Sequence, residues 1–287
     1  MNKAVKLCIV LFWLLCVAWL IRFEAFPSWF SNSLSGYENL ISEDLLISDR
    51  WMKLSFKGKP VGYLHHSVER NRNNPVKNYT LSNNMRVKLE TGKKSKPRTL
   101  TLKSTIHLDI SRKLQEFEMR ISEQQAGKFI HLEGQRSVDD KYKGKLQLGS
   151  NTRRFEINIP DDSVFFMPFA EQMIAKLNPG DEVSVQIYEP LTWEKRNIIL
   201  TGLRREKIQH NGKSVSAKVV KTEYRGFAIL SWINEQNVLL RQTSSFGLTA
   251  EACSAAEAAE SLEKGKGLRI DKHLPSQLIK SGLMDFL

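Results

Sequence analysis

The chain has 287 residues, 41% of them apolar and 26% charged, with a formal net charge of +12. That length and apolar content suit one large β domain or two small domains with real cores, and they exclude a disordered chain. The excess of Lys and Arg favours an anionic partner.

From Leu7 to Ile21 every residue is apolar, and counting from Ala4 the only charge is Lys6, whose stem can snorkel to the headgroups. One N-terminal transmembrane helix is predicted within residues 1–22. Lys3 and Lys6 precede the run, while beyond it Arg22 sits beside Glu24 and no Lys or Arg follows until Arg50. The positive-inside bias therefore puts the N-terminus in the cytoplasm and everything after Ile21 outside, in the periplasm or beyond. Phe23, Phe26, Trp29 and Phe30 follow as rings placed at a membrane interface would. A cleaved signal peptide is the alternative, but no small-x-small site follows cleanly: Ala25 has Phe23 two positions before it and Ala18 has Cys16. Cys8 and Cys16 both follow Leu, which disfavours lipidation. With those two in the apolar run, Cys253 is the only thiol of the remainder, so no intramolecular disulfide can staple it.

Residues 23–45 read as a juxtamembrane segment and linker, with Ser31 to Gly36 as a small polar tether. The β domain is expected over 46–264 and a tail over 265–287. Its dominant period is two. Leu100, Leu102, Ser104, Ile106, Leu108 and Ile110 share one face, while Thr101, Lys103, Thr105, His107 and Asp109 share the other. The alternation recurs at Phe117, Met119 and Ile121, at Phe155, Ile157 and Ile159, at Val183, Val185 and Ile187, and at Val215, Ala217 and Val219. Asn211-Gly212 suits a tight hairpin, and Lys57-Gly58-Lys59-Pro60 and Pro179-Gly180-Asp181 punctuate other strand ends.

Two helices are predicted. The first covers Ser163 to Leu177, with Phe166, Phe169, Ala170, Met173 and Leu177 as its apolar stripe and Asp161, Asp162 and Ser163 as capping candidates. The second covers Ala250 to Glu263, capped by Thr249 and ended by Gly265. The fold class is mainly β (α+β): a curved antiparallel sheet or half-barrel wrapping a helix, behind one transmembrane helix.

Chemistry-bearing motifs are sparse. His65 and His66 are adjacent, and on a strand they point to opposite faces, so they do not easily share a metal ion. His107, His131, His210 and His273 are scattered, and no HExxH, Walker loop, GxSxG or GxGxxG occurs. Cys253 lies in the Ala-rich predicted helix, where a small buried residue is the simple reading. Asp139-Asp140 and Asp161-Asp162 sit at turns, where carboxylates cap or solvate. No catalytic residue, cofactor or metal site is expected. Basic residues are dense from Arg50 to Lys103, including Lys53, Lys57, Lys59, Arg70, Arg72, Arg86 and Lys88, and the loop residues Lys93, Lys94, Lys96 and Arg98 are candidates for contact with an anionic surface. Nucleic acid is not expected as a partner of an exported domain without a recognition motif.

Trp51 to Tyr63 (WMKLSFKGKPVGY), Leu177-Asn-Pro-Gly-Asp to Pro190, and Phe227 to Arg241 (FAILSWINEQNVLLR) resemble the opening hairpin, a central segment and the closing hairpin of an uncharacterised bacterial envelope domain found ahead of transglutaminase-like domains. Asn237 stands where a Gly is usual, a mild departure because Asn tolerates the left-handed conformation. The likeness spans about Leu46 to Glu263. It implies a half-barrel related to the lipoprotein-carrier (LolA-like) fold, with no catalytic residues to transfer. The expectation is a membrane-anchored, extracytoplasmic, non-enzymatic binding or scaffold protein that holds a lipid or acyl chain in a concave sheet. The alternative is a module docking a separate transglutaminase-like or wall-processing envelope enzyme.

Overall fold

A computed structural model describes residues 12–14, 16–17, 32–34, 36–41, 47–90, 97–123, 129–165, 174, 176–189, 193–224, 227–265 and 267–269. The alternating pattern produces two long antiparallel meanders. The first contains β2 (Ile47–Phe56), β3 (Lys59–Arg70), β4 (Tyr79–Glu90), β5 (Arg98–Leu108), β6 (Leu114–Glu123), β7 (Phe129–Arg136), β8 (Tyr142–Leu148) and β9 (Asn151–Ile157). The second contains β11 (Glu182–Tyr188), β12 (Lys195–His210), β13 (Lys213–Tyr224), β14 (Phe227–Asn234), β15 (Leu239–Ser244) and β16 (Leu248–Cys253). They join into one sheet where β16 pairs with β2, from Leu248 opposite Phe56 to Cys253 opposite Trp51. Two short strands, β1 (Asn32–Leu34) and β10 (Val164–Phe165), add in parallel to β11. A third, β17 (Leu268–Arg269), adds in parallel to the end of β4.

Among the described residues β9 and β11 do not pair, so the sheet is curved and open rather than closed by hydrogen bonds. Side chains bring its two ends together. Phe165 lies 4.0 Å from Phe117 of β6, and Phe155 of β9 lies 4.7 Å from Trp193, which follows β11, both between ring centroids. Two inward-facing glycines admit these rings. A Cβ on Gly134 would come within 2.4 Å of the Phe117 ring, and one on Gly144 within 2.6 Å of the Phe155 ring. The face so enclosed is the core, where Leu108, Leu132 and Leu200 are 0% exposed. The Asn211-Gly212 hairpin takes φ of 49° and 73°, the paired positive angles that a tight two-residue turn requires.

Several expectations change. The polar tether is part of the fold: Asn32–Leu34 pairs with β11, and α1 (Gly36–Leu40) follows with Gly36, Tyr37 and Leu40 buried. Tyr37 donates its hydroxyl to the Phe165 carbonyl at 2.6 Å, and Arg112 donates to the Ile41 carbonyl at 3.1 Å, so this segment seals the inner face. The first predicted helix begins as strand, because Val164 and Phe165 pair with Ile187 and Tyr188. Its stripe residues Phe166, Phe169, Ala170 and Met173 lie outside the described residues, whereas Ile174 is helical and it and Leu177 are buried. The second predicted helix starts five residues late. Ala250–Cys253 is strand, and α2 (Ala255–Glu263) is capped by Ser254 with Glu257 in a reciprocal capping box, not by Thr249. Cys253 is therefore a strand residue. The β5 alternation ends at Leu108, and Ile110 sits exposed in a turn.

Most of the expected transmembrane run, and the interface residues Phe23, Phe26, Trp29 and Phe30, lie outside the described residues. Among the described residues no helix is long and apolar enough to cross a membrane.

Candidate functional site

The central strands β4, β5 and β6 present a grid of polar side chains on the face opposite the core. Register fixes its rows: Arg86 opposite Thr101 opposite Ser122, then Asn84, Lys103 and Arg120, then Ser82, Thr105 and Glu118. Apolar residues alternate with these and anchor each strand inward, so the polar residues have no other place to go. The grid lines a groove of about 450 Å³, walled by Arg86, Lys103 and Arg120, by the hydroxyls of Thr101, Thr105 and Ser122, and by Glu118 at one end.

Two features mark this groove. Lys103 and Arg120 stand directly opposite each other, an arrangement of like charges that destabilises a sheet. Among the described residues neither they nor Arg86 has a carboxylate partner, although Lys53, Lys77, Lys113, Arg136, Lys141 and Lys145 all do. The Arg86 Nε and the Asn84 Oδ1 are also buried without a hydrogen-bond partner. A buried guanidinium donor left unmatched keeps its positive charge uncompensated beside the groove. A multiply charged oxyanion would accept from the three cations and the hydroxyls together.

The candidates from sequence are dispersed. Lys93, Lys94 and Lys96 lie outside the described residues. Arg98 stands opposite Leu89, in the same alternation as Leu100 and Leu102, and is neutralised by Glu123 at 2.8 Å. Its side chain is 39% exposed, at the rim of the core side. His65 and His66 do point to opposite faces. His65 stacks on Trp51 at 3.9 Å and bonds to Asp49 at 2.5 Å, while His66 is 4% exposed, between Arg50 and Asn83. Burial holds the His107 imidazole below its ordinary pKa, with Lys77 adding to the effect. Burial pushes the Cys253 thiol up, away from the reactive thiolate. Among the described residues no three His, Cys, Asp or Glu gather to hold a metal ion.

Like charges also face each other at Lys145 and Arg154 of β8–β9 and at the protruding β12–β13 hairpin, where Arg205 faces Lys218 beside a notch of about 120 Å³ that also includes Glu235. Burial pushes the Lys218 ammonium pKa down, and Arg205 adds to it. The basic stretch from Arg50 to Lys103 includes Arg86 and Lys103 but not Arg120. The alternation Glu118, Arg120, Ser122 placed it on the polar face of β6, and only the strand register places it against Lys103.

No family model matches the chain, and no curated protein matches it. It is similar to a solved beta-barrel-like protein of a domain of unknown function, DUF1849, from Brucella abortus, with 11% identity and a TM-score of 0.47 over 73% of this chain and 97% of that one. It is also similar to a DUF1089 family protein from Pseudomonas aeruginosa, with 14% identity and a TM-score of 0.30 over 56% of this chain and 82% of that one. Both scores are low enough that the fold and the groove stand on this chain's own residues.

Proposed function

We propose that the chain is a membrane-tethered binding protein of the bacterial envelope whose β domain, outside the cytoplasm, engages a phosphate-bearing headgroup or polymer through the groove over β4–β6. The observation that carries this reading is the convergence of Arg86, Lys103 and Arg120, without carboxylate partners, on a groove lined by hydroxyls. The concave face is filled over much of β4–β8 by the domain's own core, with Met85, Leu100, Leu102, Leu146 and Leu148 only partly buried, and the groove on the other face takes the charged end of the ligand. The domain binds and does not turn its ligand over. The N-terminal apolar run supplies the tether, and the net charge of +12 draws anionic ligands to the surface.

The test is titration of glycerol phosphate into full-length protein in nonionic detergent. Saturable binding is expected, weakening as salt rises and lost in the Lys103→Glu/Arg120→Glu double variant but retained in Lys143→Glu/Lys145→Glu. No binding, or equal binding by both double variants, contradicts the reading. Intact mass of the protein released from membranes tests the tether separately: a full-length mass supports it, and loss of the first two dozen residues would show a cleaved signal peptide.

A further inference from the structure

We propose, resting on the phosphate reading above, that the ligand of this groove is a zwitterion: a phosphate ester carrying an amine two carbons away, of the phosphoethanolamine type. A plain anion site makes no use of the carboxylate at its end, Glu118, whose partner within the protein is the His131 imidazole. This carboxylate lines the same groove, and it repels the ligand that Arg86, Lys103 and Arg120 attract.

Its position gives it a role. Glu118 lies one row beyond the Lys103–Arg120 pair, opposite Thr105. Same-face neighbours along a strand are two residues, or about 7 Å, apart. A P–O–C–C–N chain laid along the strands is somewhat shorter than that interval, and the hydrogen-bonding reach of the phosphate oxygens and of the ammonium makes up the difference, with phosphate between Lys103 and Arg120 and ammonium towards Glu118.

The carboxylate is also held for the purpose. Its Oε1 bonds to the His131 Nε2 at 2.9 Å, and the same ring nitrogen lies 3.3 Å from Glu133 Oε2. Two carboxylates thus share one imidazole at this end, which leaves the groove cationic in its middle and anionic at its rim. The Glu118 side chain is about half exposed, at 49%, so it is open to a ligand amine without rearrangement. A bare phosphate uses one pole of this arrangement, and an amine-bearing phosphate uses both.

The experiment titrates full-length protein in nonionic detergent with four probes: methyl phosphate, O-phosphorylethanolamine, glycerophosphoethanolamine and ethanolamine alone. O-phosphorylethanolamine is expected to bind about fivefold tighter than methyl phosphate, the effect of one exposed ion pair. Ethanolamine alone is expected to show no saturable binding. In Glu118→Gln the advantage of the amine disappears while methyl phosphate binds at least as well as before. A lipid-headgroup source is indicated if the diester glycerophosphoethanolamine keeps the amine advantage, and a free phosphomonoester if only O-phosphorylethanolamine does. Equal binding of methyl phosphate and O-phosphorylethanolamine, or an advantage unchanged in Glu118→Gln, overturns the zwitterion while leaving the phosphate groove standing. Failure of every phosphate probe to bind overturns both.

Discussion

Two grooves on the outer surface of one meander differ in how their charge is arranged. The groove over β7–β9 is lined by Glu133, Lys143, Gly144, Lys145, Arg154, Phe155 and Glu156. Its lysines are matched within the protein: Lys145 with Glu133 at 3.0 Å, and Lys143 with Glu156 at 3.9 Å, beside a Lys141–Glu156 pair at 2.7 Å, so that Arg154, opposite Lys145, is its one cation without a carboxylate partner among the described residues. In the groove over β4–β6, Lys103 faces Arg120 and Arg86 stands in the next row, all three without a carboxylate partner among the described residues. Counting Lys and Arg does not separate these surfaces. The share neutralised does: one cation of the β7–β9 groove is unpaired against three of the β4–β6 groove, and an exposed cation already paired has less to gain from a ligand.

The largest effect expected of a single change is structural and lies in the balanced groove. A Cβ on Gly144 would stand 2.0 Å from the Glu133 carbonyl oxygen as well as against the Phe155 ring, so Gly144→Val should destabilise the fold by about 1–3 kcal/mol in denaturant unfolding. Wild-type stability in that variant would show that the sheet ends are not held as described. A smaller and more discriminating effect separates the grooves by sign. Arg120→Gln should raise the melting temperature by relieving its repulsion with Lys103, whereas Lys143→Gln should leave it unchanged or lower it by removing a partner of Glu156, which it faces. Equal shifts in one direction would remove the distinction. Both differences should shrink in high salt.

The smallest effect concerns the turn that joins the two ends of the sheet. Burial pushes the Asp161 carboxyl up, but hydrogen bonds from Lys113 and Arg136 outweigh it and hold the pKa below the ordinary carboxylate value. A carboxylate with a depressed folded pKa contributes stability above its unfolded pKa and loses it as pH falls through the folded one. Asp161→Asn should therefore flatten the stability profile below about pH 4 and change it least in acid. An unchanged acid limb in that variant would mean that other carboxylates carry the transition.

Strand content was legible because the code for it is local. The alternation from Leu100 to Leu108, and the Asn211-Gly212 turn, became β5 and the β12–β13 hairpin. Elements whose state depends on a distant partner were not. Val164-Phe165 and Ala250–Cys253 continue helical apolar stripes in sequence, yet each finds an open strand edge, on β11 and β2 respectively, and tertiary pairing outweighs propensity. The true start of α2 was written in the chain as Ser254 and Glu257, a capping box overshadowed by the Ala-rich residues around it. Consecutive charges at Lys93, Lys94, Lys96 and Arg98 drew attention because adjacency is visible in sequence. Lys103 and Arg120 are 17 positions apart, and their meeting depends on the turn closed between Asp109 and Lys113.

The most direct measurement of the central claim is a crystal structure of the protein grown with tungstate, whose anomalous signal distinguishes the oxyanion from water and light ions. The account predicts a peak in the β4–β6 groove within bonding reach of Arg86, Lys103 and Arg120. A peak at Arg205 and Lys218 with the β4–β6 groove empty would contradict it.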